Sequence, residues 1–432
     1  MNPQEKYFAL LHTSKKTSYS DDNTIIFSDL KDFVSPKNFL EFQEKLENQK
    51  SWLGYISYEL DNEDIKINFP KNKFIEVDNC WFGNFKKIQK FKNYILPEAS
   101  YKVPKLAFLK SNMTKQHYLE KVETIKNKIA AGEVYQANLT RKFYGEFEEK
   151  PDAFAIYCLL NKFSPAPYSA YIKIDDLHII SSSPELFLRV ENNGKAITCP
   201  IKGSAGKGLG KQLGESKKDI AENLMITDLM RNDFSRACLA GSVKVDDLFE
   251  VNEFETISHM HSKISGDLGF DNNEVENRNK ILKLIKDCSP AGSMTGAPKI
   301  AAMKLCAELE DWQRGIYSGA IGYLGFGDAS GTVLPPSSVS FPRKRESNDD
   351  EFTIDSRFRG NDTVGVGAED NLTNSILAEF SVVIRTIIIK GNKFEFQVGG
   401  GIVFDSVAEK EYNETLIKAA AICNVLGVEI DG

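Results

Sequence analysis

The chain has 432 residues, 41% hydrophobic and 27% charged, which is the balance of a globular protein and excludes a collagenous, wholly disordered or membrane-spanning chain. Lys and Arg number 54 against 61 Asp and Glu, a net charge of −7. That balance argues against non-specific nucleic-acid binding, yet allows an anionic ligand where a local cation overrides the global sign. The length fits one unusually large domain or two of ordinary size. Seven scattered cysteines, none in a C-x-x-C pair, read as reduced thiols and not as a disulfide framework or zinc site. The N-terminus shows no basic segment followed by an apolar run and cleavage site, so a cytoplasmic protein is expected.

In the first hundred residues, SWLGYISYEL (51–60) and NCWFGNF (79–85) read as strands. Residues 86–112 hold Pro97 and Pro104 and read as a strand pair with a linker. A helix follows, capped by Thr114, with Tyr118, Val122, Ile125 and Ile129 at helical spacing, ending near Gly132. Residues 135–147 read as a strand, and PDAFAIYCLLNKF as a helix stopping before Pro165. Closely spaced runs at YSAYIKI, LHIISSS, LFLRVE and KAITCPI predict an antiparallel sheet. Residues 216–239 form the clearest helix, with Ser216 as its cap. Residues 242–268 return to strands, and two helices follow, the second with Pro298 near its first turn. YSGAIGYLGFG, FSVVIRTIIIKG and FEFQVGGGIVF read as strands, and a last helix runs from about Val407 to Leu426.

One segment breaks the rhythm. Residues 329–376 are polar, rich in Gly, Ser, Asp and Arg, and lack apolar periodicity. Such a stretch buries too little surface to offset its ordering entropy, so it reads as a disordered insertion. Within it, PRKRES…DSRFRGND resembles a translated palindromic repeat element. Its basic residues alternate with acids, which argues against a binding patch.

Two acidic pairs sit at helical spacing: Asp219 with Glu222, and Glu411 with Glu414, with Lys418 four residues further on. Each pair shares a helix face. Two such faces could converge on one hard cation such as Mg²⁺, or simply be solvated. Gly399, Gly400 and Gly401 interrupt a strand pattern, marking a tight turn or a close backbone approach to a ligand. SMTGAPK (293–299) places Thr295 at a helix start, where free N–H groups favour an anion or a plain cap. No G-x-x-x-x-G-K-[ST] loop, H-x-x-x-H pair or G-x-C-x-G nucleophile elbow occurs. His259 and His261 alternate in a strand and point the same way, a weak ligand set.

The order SPELFL (183–188), PIKGS (200–204), AENLMITDLMRND (221–233), SMTGAPK, SGAIGYLGF (318–326), IRT (384–386), GGGIVFDS (399–406) and EYNET (411–415) resembles the chorismate-utilising enzymes. These comprise anthranilate synthase, aminodeoxychorismate synthase component I and the isochorismate and salicylate synthases. The resemblance implies an α+β fold: two packed antiparallel β-sheets with helices outside, in one large interleaved domain. It places an N-terminal part at 1–110 and a chorismate-binding catalytic part at 111–432, interrupted by the insertion.

Pro200-Ile201-Lys202-Gly203-Ser204 is similar to the P-I-K-G-T of aminodeoxychorismate synthases, where anthranilate synthases carry P-I-A-G-T. In the mechanism proposed for that family, this lysine attacks C2 of chorismate and expels the hydroxyl, and ammonia then adds at C4. An ordinary lysine, with a pKa near ~10.4, is almost wholly charged at neutral pH, so Lys202 needs desolvation or a nearby cation to act.

By position, Glu222 and Glu414 match the Mg²⁺ ligands of the family, with Asp219 and Glu411 in support, and Glu185 matches a general acid/base. Tyr317 and Arg385 match the pair that binds the enolpyruvyl carboxylate. Gly399, Gly400, Gly401, Lys418, Thr295 and His259 match other substrate contacts. Gln136 stands where water-adding relatives carry a lysine, which argues against water addition at C2.

The implied activity is formation of 4-amino-4-deoxychorismate for p-aminobenzoate and folate. Ammonia would come from a separate glutamine amidotransferase subunit, and pyruvate would be released by another enzyme. Anthranilate formation, or a non-catalytic relic disabled by the insertion, are the alternatives.

Overall fold

The computed structural model describes residues 5–430 apart from 19, 21–22, 47–50, 63, 98–100, 207, 254–256 and 326–375. Nearly all of the 329–376 segment therefore lies outside the described residues.

Antiparallel ladders connect the strands into one continuous array. From one edge the order is Leu106–Ser111 (β5), Gln136–Phe147 (β6), Lys393–Ile402 (β18), Thr386–Lys390 (β17), Leu177–Ser183 (β8) and Tyr168–Ile174 (β7). Next come Tyr7–His12 (β1), Asn23–Val34 (β2), Cys80–Lys92 (β4) and Ser51–Ile56 (β3). Then follow Ala320–Gly325 (β15), Ile376–Val382 (β16), Leu186–Glu191 (β9) and Lys195–Cys199 (β10). Ile257–Asp267 (β13) pairs on one side with β10 and Ile201–Gly206 (β11), and on the other with Lys244–Glu253 (β12). A two-residue strand, Gly296–Ala297 (β14), pairs with β6. The strands of residues 7–92 (β1 to β4) thus sit in the middle of the array, between β7 and β15, while β5 lies at its edge. The two sheets read from the sequence are joined through them by hydrogen bonds.

The helices form where the apolar spacing predicts. Lys115–Ala130 (α2) is capped by the Thr114 hydroxyl, which accepts from His117 N–H, and it buries Tyr118, Val122 and Ile125. Ala153–Phe163 (α3) begins at Asp152, whose carboxylate accepts from the Phe154 and Ala155 amides. Lys217–Ser235 (α5) is capped by Ser216, and Glu274–Cys288 (α6) by Asn273. Gly292–Thr295 (α7), Lys299–Leu309 (α8) and Ala408–Leu426 (α9) complete the set near the site. α3 and α9 cover one apolar cluster with β6, β8, β17 and β18, while α5 and α6 cover a second with β9, β13 and β16. Each fully buried Leu, Ile or Phe there contributes roughly 1.5–3 kcal/mol. None of the described helices is long and apolar enough to cross a membrane.

Two local readings change. Phe39–Lys45 (α1) is a helix in a stretch the sequence leaves unassigned, because seven residues with two buried phenylalanines give too short a periodic signal. The single strand read at FSVVIRTIIIKG is two strands. β16 pairs with β9 and β15, the chain turns at Arg385 with φ +50°, and β17 pairs with β8 and β18. An apolar run does not reveal that its two halves have different partners.

Candidate active site

A cavity of about 410 Å³ opens where β18, β11 and β13 meet the first turns of α5 and α9. Twelve of the fifteen residues singled out in the sequence line it: Lys202, Glu185, Tyr317, Arg385, Gly399, Gly401, Lys418, His259, Asp219, Glu222, Glu411 and Glu414. They come from eight separate stretches of chain, so the antiparallel array is what brings them together.

Lys202 is the second residue of β11, just after Pro200. The β11–β13 register shifts between Ile201 and Ser204, a bulge that re-aims the intervening side chains. Gly203 sits at φ +87°, where a built Cβ would lie 3.0 Å from the Asp219 side chain, so this close strand-to-helix approach requires glycine. The Asn223 amide donates to the Lys202 carbonyl at 3.5 Å and the Met260 carbonyl at 3.4 Å, tying α5 to β11 and β13. At Gly401 a built Cβ would lie 2.9 Å from Lys202 Nζ and 2.0 Å from Gln136 Nε2. The bare backbone of β18 therefore makes room for the amine. Burial lowers the Lys202 pKa, opposed first by the Glu222 charge and assisted by that of Lys418.

Glu185 lies in the turn between β8 and β9 and is 3% exposed. Ser293 Oγ, on α7, donates to its carboxylate at 2.6 Å. Burial pushes the carboxyl up to about 7, against the Ser293 bond, an Ile201 backbone bond and the Lys202 charge. A lysine whose ammonium is disfavoured thus shares a cavity with a carboxylic acid whose ionisation is disfavoured. That pairing suits nucleophile and general acid.

The carboxylates gather at one side. Glu411 is in the first turn of α9, where the helix N-terminus favours negative charge, and its Oε1 accepts from Ser406 Oγ at 2.7 Å. Glu414, one turn on, pairs with Lys418 at 2.7 Å, and Lys418 also donates to the Gly399 carbonyl at 2.8 Å. From α5, Asp219 and Glu222 face the same space. Burial raises the Glu222 pKa, whereas at Glu414 the opposing burial is outweighed by Lys418 and further lysines. The donors are all hard oxygens, the chemistry that Mg²⁺ takes. Among the described residues no three acids close into a ready metal cage. Instead the Lys218 ammonium stands 3.7 Å from both Glu222 and Glu411.

Arg385, Tyr317 and His259 lie elsewhere on the wall. Arg385 Nη2 donates to His259 Nε2 at 2.8 Å, which requires the unprotonated ring nitrogen. Burial holds His259 well below its usual range and brings Arg385 down to about 10. Burial raises the Tyr317 pKa, so its phenol stays a donor. A cationic fork beside a neutral imidazole and a phenol has the chemistry to take a carboxylate.

The other three lie behind the wall. Gln136 is 1% exposed, and neither its amide oxygen nor its nitrogen has a hydrogen-bond partner among the described residues. Thr295 is fully buried and donates to the Gly292 carbonyl at 3.1 Å, so its hydroxyl closes α7 instead of facing the cavity. Gly400 faces Glu411 and Glu414, with a built Cβ 3.4 and 3.9 Å from their oxygens.

Sequence reading missed Ser293, Asn138, Gln397 and Lys218, all on the wall. It also missed Arg314, a buried hub behind it. Arg314 bonds the Glu310 carboxylate, the Met294 and Asn138 carbonyls, and accepts from Gln397 Nε2 at its own carbonyl. Ser293 stands in a motif already noted, and Lys218 in the capping turn of α5; Arg314 carries no local signal.

A family model described as "chorismate binding enzyme" matches residues 2–334 and 372–424. Anthranilate synthase component 1 of Aquifex aeolicus is 32% identical over 337 residues, covering 76% of this chain and 56% of that protein. Aminodeoxychorismate synthase component 1 of Salmonella typhimurium is 34% identical over 324 residues, covering 73% and 59%. Aminodeoxychorismate synthase of Streptomyces griseus is 31% identical, covering 73% and 37%. The matches thus span roughly a third to three fifths of these relatives. Anthranilate synthase component I of Streptococcus pneumoniae superposes with a TM-score of 0.70 at 22% identity, covering 94% of this chain and 93% of that one. The menaquinone-specific isochorismate synthase of Escherichia coli gives 0.68 at 16% identity, covering 98% and 89%. These two share the fold.

Proposed function

The chain belongs to the chorismate binding enzyme family, and on that premise we propose that it is an aminodeoxychorismate synthase component I. The observation that carries the choice is Lys202, a lysine with a lowered pKa in the same cavity as Glu185. In this reading the neutral Lys202 amine adds to C2 of chorismate, the ring double bonds shift, and the C4 hydroxyl leaves. Glu185, half protonated near pH 7, gives the departing oxygen its proton. Ammonia then adds at C4 as the Lys202–C2 bond breaks, which regenerates the amine.

Arg385 and Tyr317 hold the enolpyruvyl carboxylate, and neutral His259 braces the guanidinium. Gly399 and Gly401 leave the space in which the ring and the amine meet. Glu222 and Glu414, with Asp219 and Glu411 beside them, would hold Mg²⁺, which when bound offsets the charge of the ring carboxylate. Ammonia comes from a glutamine amidotransferase partner. Direct addition of ammonia at C2, giving anthranilate, is the competing outcome, and relatives of both kinds match this chain to similar identity.

The test is a covalent adduct. Incubated with chorismate and Mg²⁺ but no ammonium, the protein gains the mass of chorismate less one water, mapped to the Lys202 peptide. An adduct on another residue, or none in protein that consumes chorismate, removes the nucleophile from the reading.

A further inference from the structure

Four carboxylates from two helices line one side of the cavity, and two lysines reach them. Lys418 is held twice, by Glu414 and by the Gly399 carbonyl, and so belongs to the framework of α9 and β18. Lys218 is held differently. Its ammonium stands 3.7 Å from Glu222 on its own helix and 3.7 Å from Glu411 on the other, bridging α5 to α9. Both contacts are longer than a hydrogen bond. The Lys218 side chain is 53% exposed, while those of Glu222 and Glu411 are 14% and 4% exposed. A half-exposed, strongly hydrated cation thus sits over two sequestered anions from different helices.

We propose that Lys218 is a displaceable counter-ion: it bridges the two helices while the acid cluster is empty, and swings into solvent when a divalent cation enters. This rests on the Mg²⁺ reading of the cluster. Without the bridge, Glu222 and Glu411 would repel each other across the α5–α9 gap. With a divalent ion in place the ammonium is redundant and repelled. Lys218 therefore keeps the empty site assembled, and its displacement weakens ion binding.

The probe is magnesium chloride alone, titrated calorimetrically into the full chain without chorismate. Lys218→Met is expected to bind Mg²⁺ about tenfold more tightly than wild type, from two ion pairs discounted for solvent screening. Lys218→Gln behaves as Met does and serves if Met folds poorly. Lys218→Arg, which keeps the charge, stays near wild type. Lys217→Met is the control for net charge, since Lys217 is exposed one residue earlier, and it shifts affinity by less than about twofold. In chelator, Lys218→Met melts below wild type, and saturating Mg²⁺ closes the gap. Unchanged or weaker binding by Lys218→Met, or an equal gain in Lys217→Met, overturns the proposal. If no folded variant binds Mg²⁺, the metal reading itself fails, and this proposal falls with it.

Discussion

Replacing Glu185 by glutamine keeps the shape of the side chain and removes its ionisation. In the folded protein this carboxyl titrates at about 7, against an ordinary 4.5. The folded pKa is raised, so the native state binds the proton more tightly than the unfolded chain. Below 4.5 both states are protonated and nothing is lost. Stability then falls as pH rises from 4.5 to 7, and the loss is complete above 7. At 1.36 kcal/mol per pKa unit, the buried carboxylate costs about 3 kcal/mol at pH 8. Glu185→Gln escapes that loss. Urea denaturation of both proteins at pH 5 and pH 8 reads it directly: the variant gains about 2.5 kcal/mol on wild type between the two pH values, since part of the loss is already present at pH 5. Glu59, also raised to about 7 by burial, contributes the same trend to both proteins and cancels. A gain that is absent, or of opposite sign, refutes the claim that Glu185 is a carboxyl strained by burial. The same variant loses roughly 10²–10⁴-fold in turnover if Glu185 is the acid.

Three more outcomes follow from the same geometry. The pH profile of kcat/KM with ammonia held saturating is bell-shaped, because Lys202 must be neutral and Glu185 protonated; one limb lies near 7, and the fall at high pH disappears in Glu185→Gln. Gly401→Ala puts a methyl 2.0 Å from Gln136 Nε2 and 2.9 Å from Lys202 Nζ, so turnover drops at least about tenfold while circular dichroism is unchanged. Arg314→Met strands the buried Glu310 carboxylate and destabilises the fold by about 3–5 kcal/mol, measured by chemical denaturation.

Much of the fold is legible in the sequence because its signals are local. The Thr114 and Ser216 caps and the buried faces of α2 and α6 announce helices; the closely spaced runs from Tyr168 to Cys199 announce antiparallel strands. Strand order is not local. Nothing in residues 7–92 says that they lie between β7 and β15, or that Arg385 divides strands with different partners. The site follows the same division. The motif order picks out Lys202, Glu185 and the acids, and twelve of fifteen residues meet at one cavity. Thr295 is turned away because its hydroxyl closes α7, a bond set by the three-dimensional path of the helix. Arg314 has no signal at all: it matters only because carbonyls from β6 and α7 converge on it.

Which amine the chain makes from chorismate is read from the identity of the product. Purified protein is given chorismate, Mg²⁺ and ammonium, with and without an added aminodeoxychorismate lyase. With Lys202 as the nucleophile, p-aminobenzoate is expected only when the lyase is present, and none from Lys202→Ala. Fluorescent anthranilate as the product of the wild-type chain, or undiminished p-aminobenzoate from Lys202→Ala, contradicts that expectation.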